Sequence, residues 1–228
     1  MREKLLYILG AVAGVLLVRN LWVILFVLPD EASQGAVYRI MYYHVPSWFT
    51  CFAAFFGAGL ASVLYLVKKD PRYDAAAVAS TEVGVAFCVI GLVTGSIWAR
   101  PVWGVWWVWD PRLTWALITC LVYAGYLMLR RAIEDPGERG KNAAVVSIFS
   151  FTSVIITYKA IDWWRTQHPG PVISIRTGGG NIDPAMEQML YVNWLPMLML
   201  AFVMAAVRMR QEMMGRELDA MRRYAHAL

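Results

Sequence analysis

Two imidazoles, a run of indoles and a few guanidinium groups are the parts of this chain best equipped for chemistry. Residues 103–110 read Trp-Gly-Val-Trp-Trp-Val-Trp-Asp, so Trp103, Trp106, Trp107 and Trp109 crowd together ahead of Asp110 and Pro111. The run joins two long apolar segments, and loops on rigid scaffolds are where binding residues concentrate. A bare connection needs no such apolar surface. These ring faces predict a platform for a large, flat, apolar ligand.

His44 and His168 fall in connections on the same side of the chain's apolar segments, and His226 falls in a tail on the other side. A lone histidine is often structural. Two on one side, with an aromatic run between them in sequence, are candidates for a ligand pair. Imidazole suits iron, copper, zinc and nickel. Two ligands are too few for a closed structural zinc site, which takes four. They suffice for a metal that brings its own equatorial ligands, as haem does. Indoles would stack on the macrocycle, and its carboxylates would seek cations among Arg100, Arg112 and Arg176, for which lipid headgroup contact is the plain alternative. Asp110 stands before Pro111, which suits a first helical position, so its carboxylate is expected to cap that helix. No partner acid or nucleophile accompanies it, and no catalytic residue is expected. Gly178-Gly179-Gly180 is expected to be a flexible turn and not a phosphate loop, since no Lys-Ser/Thr follows.

The elements that must position these groups are membrane spans. The chain is 59% hydrophobic, with a mean hydropathy of +0.50. Runs of about 20 apolar residues can cross a bilayer, and six are visible, at 5–28, 48–67, 81–98, 113–129, 143–158 and 188–207. Without barrel alternation such runs are helices, because backbone in lipid must satisfy its own hydrogen bonds. The fold predicted is an all-α integral membrane protein, a six-helix transmembrane bundle forming one membrane domain over 1–228. The first run is too long for a signal-peptide core and is kept as a span.

Lysine and arginine set the orientation. Arg2, Lys4, Lys68, Lys69, Arg72, Arg130, Arg131, Arg139, Lys141, Arg208, Arg210, Arg216, Arg222 and Arg223 lie on one side. Arg39, Arg100, Arg112, Arg165 and Arg176 lie on the other. Both termini are therefore expected in the cytoplasm, with 29–47, 99–112 and 159–187 outside. This asymmetry accounts for most of the net charge of +5 without nucleic-acid binding. Every tryptophan falls at the outer side, which an interfacial belt alone does not explain, since belts mark both interfaces. Asp30 is expected to cap a surface helix running to His44, with Val37, Ile40, Met41 and His44 on one apolar face. Glu82 is expected near a helix start, and Lys159 and Asp162 are expected to pair on one face. Cys51, Cys88 and Cys120 fall inside spans, where free cysteine behaves as a small hydrophobe.

The segment from Trp103 to Thr114, the stretch Tyr38-Arg39-Ile40-Met41-Tyr42-Tyr43-His44-Val45-Pro46 and the pair His168-Pro169 resemble the haem-handling family marked by a tryptophan-rich WWD signature. Within it they look like the branch that serves cytochrome c maturation. The resemblance covers nearly the whole chain, and the tryptophan motif is highly specific. It implies haem b as a transient, transferred ligand, bound at the periplasmic face of a bacterial inner membrane. It implies His44 and His168 as axial ligands, with Trp103, Gly104, Trp107, Trp109, Asp110, Arg100 and Arg112 around the ligand. It implies delivery to a haem chaperone, CcmE, beside the ABC transporter subunits CcmA and CcmB and the small protein CcmD. ATP hydrolysis would belong to those partners. Two other classes compete. A haem permease needs a polar path through the bundle, and the spans hold few ionisable residues beyond Arg19. A quinol-oxidising electron carrier would place histidine pairs within the spans.

Overall fold

A computed structural model describes residues 2–170 and 182–226, and these are helical apart from short connections. Helix α1 covers Arg2–Phe26. A single 3-10 turn, Ala36–Ile40, leads into α2 (Met41–Lys68). Then follow α3 (Pro71–Trp103), α4 (Pro111–Ala132), α5 (Pro136–Trp163) and α6 (Pro184–His226). All six α-helices are long and apolar enough to cross a membrane. Gly178-Gly179-Gly180, Pro171 and Arg176 lie outside the described residues.

Four helices start on the same dipeptide. Asp70, Asp110, Asp135 and Asp183 each precede proline. Their carboxylates accept from the backbone N–H of Arg72 (2.9 Å), Arg112 (2.9 Å), Glu138 (2.7 Å) and Ala185 (2.8 Å). Proline is tolerated in the first turn because its missing N–H would be unpaired there anyway, and the aspartate supplies an acceptor for one that remains. Asp110 therefore does cap α4.

α2 and α3 form the centre of the bundle, and they pack through a glycine groove. A methyl group at Gly84 would come within 2.5 Å of the Phe55 ring, at Gly91 within 2.7 Å of Trp48, and at Gly95 within 2.9 Å of His44. Small residues let helices in lipid approach closely. Here they let rings of α2 sink into α3. Phe55 stacks in turn on Tyr123 of α4, with centroids 3.6 Å apart and planes 2° from parallel.

Pro46, Pro101 and Pro196 lie inside helices near the end that carries the tryptophan loop, and the interruptions at Pro46 and Pro196 are repaired in the same way. Pro46 cannot donate to the Tyr42 carbonyl, and Pro196 cannot donate to that of Val192. Asn193 of α6 donates to the Tyr42 carbonyl at 2.6 Å. Asn20 of α1 donates to the Val192 carbonyl at 3.1 Å and to the Asn193 side-chain oxygen at 3.3 Å. Both asparagines are fully buried. The clasp joins α1, α6 and the first turn of α2, where His44 sits.

The structure corrects several expectations. No single helix runs from Asp30 to His44. Residues 31–35 form a turn closed by a bridge between Glu31 and Gly35, and Gly35 has φ +61°, which stops a helix from passing through it. His44 belongs to the start of α2, which continues through Pro46. Asp30 pairs instead with Arg39 at 2.8 Å. Arg39 also donates to the Leu25 and Leu28 carbonyls (2.9 and 3.2 Å) at the open end of α1. Glu82 is not at a helix start. It lies well inside α3, paired with Arg208 of α6. Beyond it, Asp74 is buried between Arg130 and Arg216, with contacts of 2.6 Å to each. These pairs let the helices run past their apolar cores, so the connections there shrink to a few residues. Lys159 and Asp162 do pair, at 2.8 Å, and the three cysteines are buried and free.

Candidate functional site

At the end of α2–α5 that carries the tryptophan loop lies an open basin with about 1450 Å³ of empty space, open solvent included. His44 and His168 both line it, with Trp48, Trp98, Trp103, Trp107 and Arg112. The two imidazoles predicted as a pair therefore face one cavity.

His44 is 8% exposed and stands between two indoles, edge-on to both. Trp98 lies at 5.8 Å and 79°, Trp48 at 6.4 Å and 76°. Its Nδ1 is 3.0 Å from the Thr94 hydroxyl of α3. Trp98 is fixed by its own N–H, which donates to Gln34 at 2.7 Å. Gln34 sits in the tight turn that Glu31 organises by accepting from the Ser33 hydroxyl and the Ser33 and Gln34 N–H groups. The connection between α1 and α2 thus props one wall of the basin.

His168 is held differently. It sits on the connection after α5, and Asp110 is what reaches it. The Asp110 carboxylate, 6% exposed, accepts from the Thr166 hydroxyl at 2.7 Å and from the Gln167 N–H at 2.8 Å, in addition to capping α4. Thr166 in turn accepts from the His168 N–H at 3.0 Å. The His168 ring closes the chain, with Nδ1 2.8 Å from the Pro169 carbonyl. Burial would raise the Asp110 pKa, but the hydrogen bonds from Thr166, Gln167, Arg112 and Leu113 outweigh it and hold it below the usual carboxylate value. Burial, helped by the nearby charge of Arg112, pushes the His168 pKa down to about 4. Its ring is neutral at physiological pH, the form that can ligate a metal.

The remaining candidates divide. Trp103 ends α3 and Trp107 follows in the loop, and both turn toward the basin. Trp109 is 77% exposed and Trp106 59%, at the rim. Trp109 meets Trp107 edge-on at 6.0 Å. Gly104, with φ +77°, ends α3 in the left-handed conformation that glycine adopts most easily, and this sets the direction of the tryptophan loop. Arg100 donates to the Gly104 carbonyl and does not line the basin. Arg112 does, with its guanidinium donating to the Tyr158 carbonyl at 3.5 Å. Thr94, Thr166 and Gln34 were not legible as site residues. A threonine in an apolar run looks like ordinary span, and only the pairing of α2 with α3 places Thr94 against His44.

The groups present suit a porphyrin metal: flat indole walls, two imidazoles and, among the described residues, the guanidinium of Arg112. Among the described residues no cluster of three or more His, Cys, Asp or Glu could hold a bare metal ion. The fold and basin thus define a class, a six-helix membrane bundle with a histidine–tryptophan ligand site at one end. The family model for CcmC, heme exporter protein C, matches residues 1–224. Heme exporter protein C of Bradyrhizobium diazoefficiens is 36% identical over 195 residues, covering 85% of this chain and 73% of that protein. The Escherichia coli K12 protein of that name is 33% identical, covering 80% and 73%, and that of Paracoccus denitrificans 30%, covering 86% and 81%. The chain belongs to the heme exporter protein C family.

Proposed function

We propose that this chain binds haem b in the basin and delivers it to the haem chaperone CcmE during cytochrome c maturation. His44 and His168 are its axial ligands, Trp103 and Trp107 supply its apolar wall, and Arg112 receives a propionate. Trp109 and Trp106, exposed at the rim, stand where an acceptor protein would approach. The lysine and arginine asymmetry supports cytoplasmic termini and a basin facing the periplasm at the inner membrane. The ABC subunits CcmA and CcmB and the small protein CcmD are its neighbours. The chain itself is a loading platform and not an enzyme, with ATP hydrolysis left to those subunits. Haem, when bound, supplies the iron and the flat macrocycle. The protein supplies two imidazoles that line one cavity and a guanidinium to orient the carboxylates.

The observation that carries this reading is the convergence of His44 and His168 on one basin beside the tryptophan loop. Its test is the absorption spectrum of the purified protein, wild type and with His44→Ala or His168→Ala. A six-coordinate haem spectrum that is lost in each variant is expected. Unchanged haem content and spectrum in both variants would overturn it.

A further inference from the structure

The His44 side of the basin carries one proton that must be placed. Nδ1 of His44 and the Thr94 hydroxyl oxygen are 3.0 Å apart. The same hydroxyl lies 2.6 Å from the Ile90 carbonyl and 3.2 Å from that of Gly91. A threonine hydroxyl has one proton to give and two lone pairs, whereas a carbonyl can only accept. The short contact to Ile90 takes the hydroxyl proton, so the threonine oxygen meets His44 as an acceptor. The proton between them then belongs to the imidazole. A neutral ring protonated at Nδ1 has its bare lone pair at Nε2.

Gly95, the next residue, supplies the space. A methyl there would lie 2.9 Å from Cε1 of His44. Rotating the ring by half a turn would put a C–H against the Thr94 oxygen and forfeit the hydrogen bond, and the indoles of Trp48 and Trp98 meet the ring edge-on with centroids at 6.4 and 5.8 Å. His168, which lines the same basin, reaches the same state through an unrelated device. Its Nδ1 faces the Pro169 carbonyl at 2.8 Å, which also can only accept.

We propose that Thr94 is a positioning residue for His44. Seated beside Gly95 on α3, it fixes the imidazole as the Nδ1–H tautomer and leaves Nε2 free as the metal-binding atom. This rests on the haem reading above, and it deepens that reading by naming what prepares the ligand before haem arrives. Partners of this kind fix ring orientation and basicity in metal sites, and losing one typically lowers metal affinity roughly 10–100-fold.

The test begins with haem-free protein in nanodiscs, labelled with nitrogen-15 at its histidines. His44 is assigned by the signals missing from His44→Gln. Long-range proton–nitrogen spectra then report which ring nitrogen carries the proton. The expected result is Nδ1–H in the wild type and in Thr94→Ser, and a shift toward the other tautomer in Thr94→Val. Hemin titration should then show roughly 10–100-fold weaker binding in Thr94→Val, with Thr94→Ser close to wild type. A wild-type ring protonated at Nε2 would overturn the proposal outright, whether or not any variant folds. So would a Thr94→Val protein that keeps both the wild-type tautomer and wild-type affinity. The haem reading fails separately, by hemin binding that His44→Gln leaves unaltered, and that result would not touch the tautomer measurement.

Discussion

The two sides of the basin are built by opposite means. His44 is set into packed helices. Its ring lies in a glycine groove of α3, its backbone is pinned by the Asn193–Tyr42 hydrogen bond, and indoles hold its flanks. His168 hangs on a connection, held through Asp110, Thr166 and the Pro169 carbonyl. Packed cores are rigid because any volume change is felt by many neighbours, while segments with few buried contacts open at low free energy. A carrier that must grip a ligand and then release it has use for one fixed jaw and one that can let go. On the proposed haem reading, the fixed role would fall to His44 and the releasable role to His168.

Removing the rings is the strongest way to break that comparison. His44→Ala and His168→Ala should each abolish six-coordinate haem. They should differ in rescue. His44→Ala leaves a walled socket, so millimolar imidazole should restore much of the six-coordinate spectrum, as small ligands can enter preformed cavities in packed interiors. His168→Ala leaves an open connection with no such socket, and imidazole should do little at the same concentration. Equal rescue of both variants would remove the distinction.

The next largest effect falls on Asp110. Asp110→Ala removes the cap of α4, worth about 1 kcal/mol, and leaves Thr166 and the Gln167 N–H without their acceptor, at about 1–3 kcal/mol for each group that stays buried. The damage should stay on one side. Hydrogen exchange should rise across 164–170 while residues 41–48 keep wild-type protection. Equal loss of protection on both sides would mean that the jaws are one unit.

Much of this architecture was legible before any coordinates, for reasons that can be stated. The six spans follow from the apolar runs. The cap on α4 follows from Asp110-Pro111, because that dipeptide carries its own mechanism. The pairing of Lys159 with Asp162 follows from helical spacing. Helix ends were not legible, because Glu82 and Asp74 find arginines on other helices and so sit comfortably inside α3. The expected helix from Asp30 to His44 fails because Gly35, at φ +61°, ends a tight turn before Ala36. α2 starts beyond it and runs through Pro46, where Asn193, far along the chain, replaces the missing N–H donor to the Tyr42 carbonyl. Thr94 and Thr166 were missed because their role is defined by a tertiary neighbour. His44, His168, Trp103 and Arg112 carry their own chemistry as residue types, and they are among the sequence candidates that line the basin.

The proline–asparagine clasp permits a finer cut at the fixed side. Asn193→Leu leaves the Tyr42 carbonyl buried without a partner, at a cost of about 1–3 kcal/mol. In a Pro46→Ala background residue 46 regains an N–H that can return to Tyr42 in the ordinary helical pattern. Asn193→Leu should then cost less by about 1 kcal/mol, a coupling that a double-mutant cycle reads directly. Unfolding in detergent would measure it. Strictly additive costs would show that Asn193 serves α6 alone and leaves the seat of His44 untouched.

The smallest effect sharpens the releasable side. In haem-free protein the His168 pKa is lowered from 6.5 to about 4, first by burial and then by Arg112, against the Pro169 carbonyl and Asp110. An opened connection would protonate this ring near 6.5, whereas the closed one does so only near 4. Acidification between those values therefore works against closure. The effect is absent above about 6.5 and complete below about 4, since stability falls wherever the open state binds more protons. Asp110 does not give way in that window, because its own pKa is held below 3.8. A nitrogen-15 titration of His168 should find a midpoint near 4 in the wild type. Thr166→Val removes the link between Asp110 and the His168 backbone, admits water to the ring and should carry the midpoint back toward 6.5. A wild-type midpoint already at 6.5 would mean that the connection stands open in solution. The releasable jaw would then be one that haem, and not Asp110, has to close.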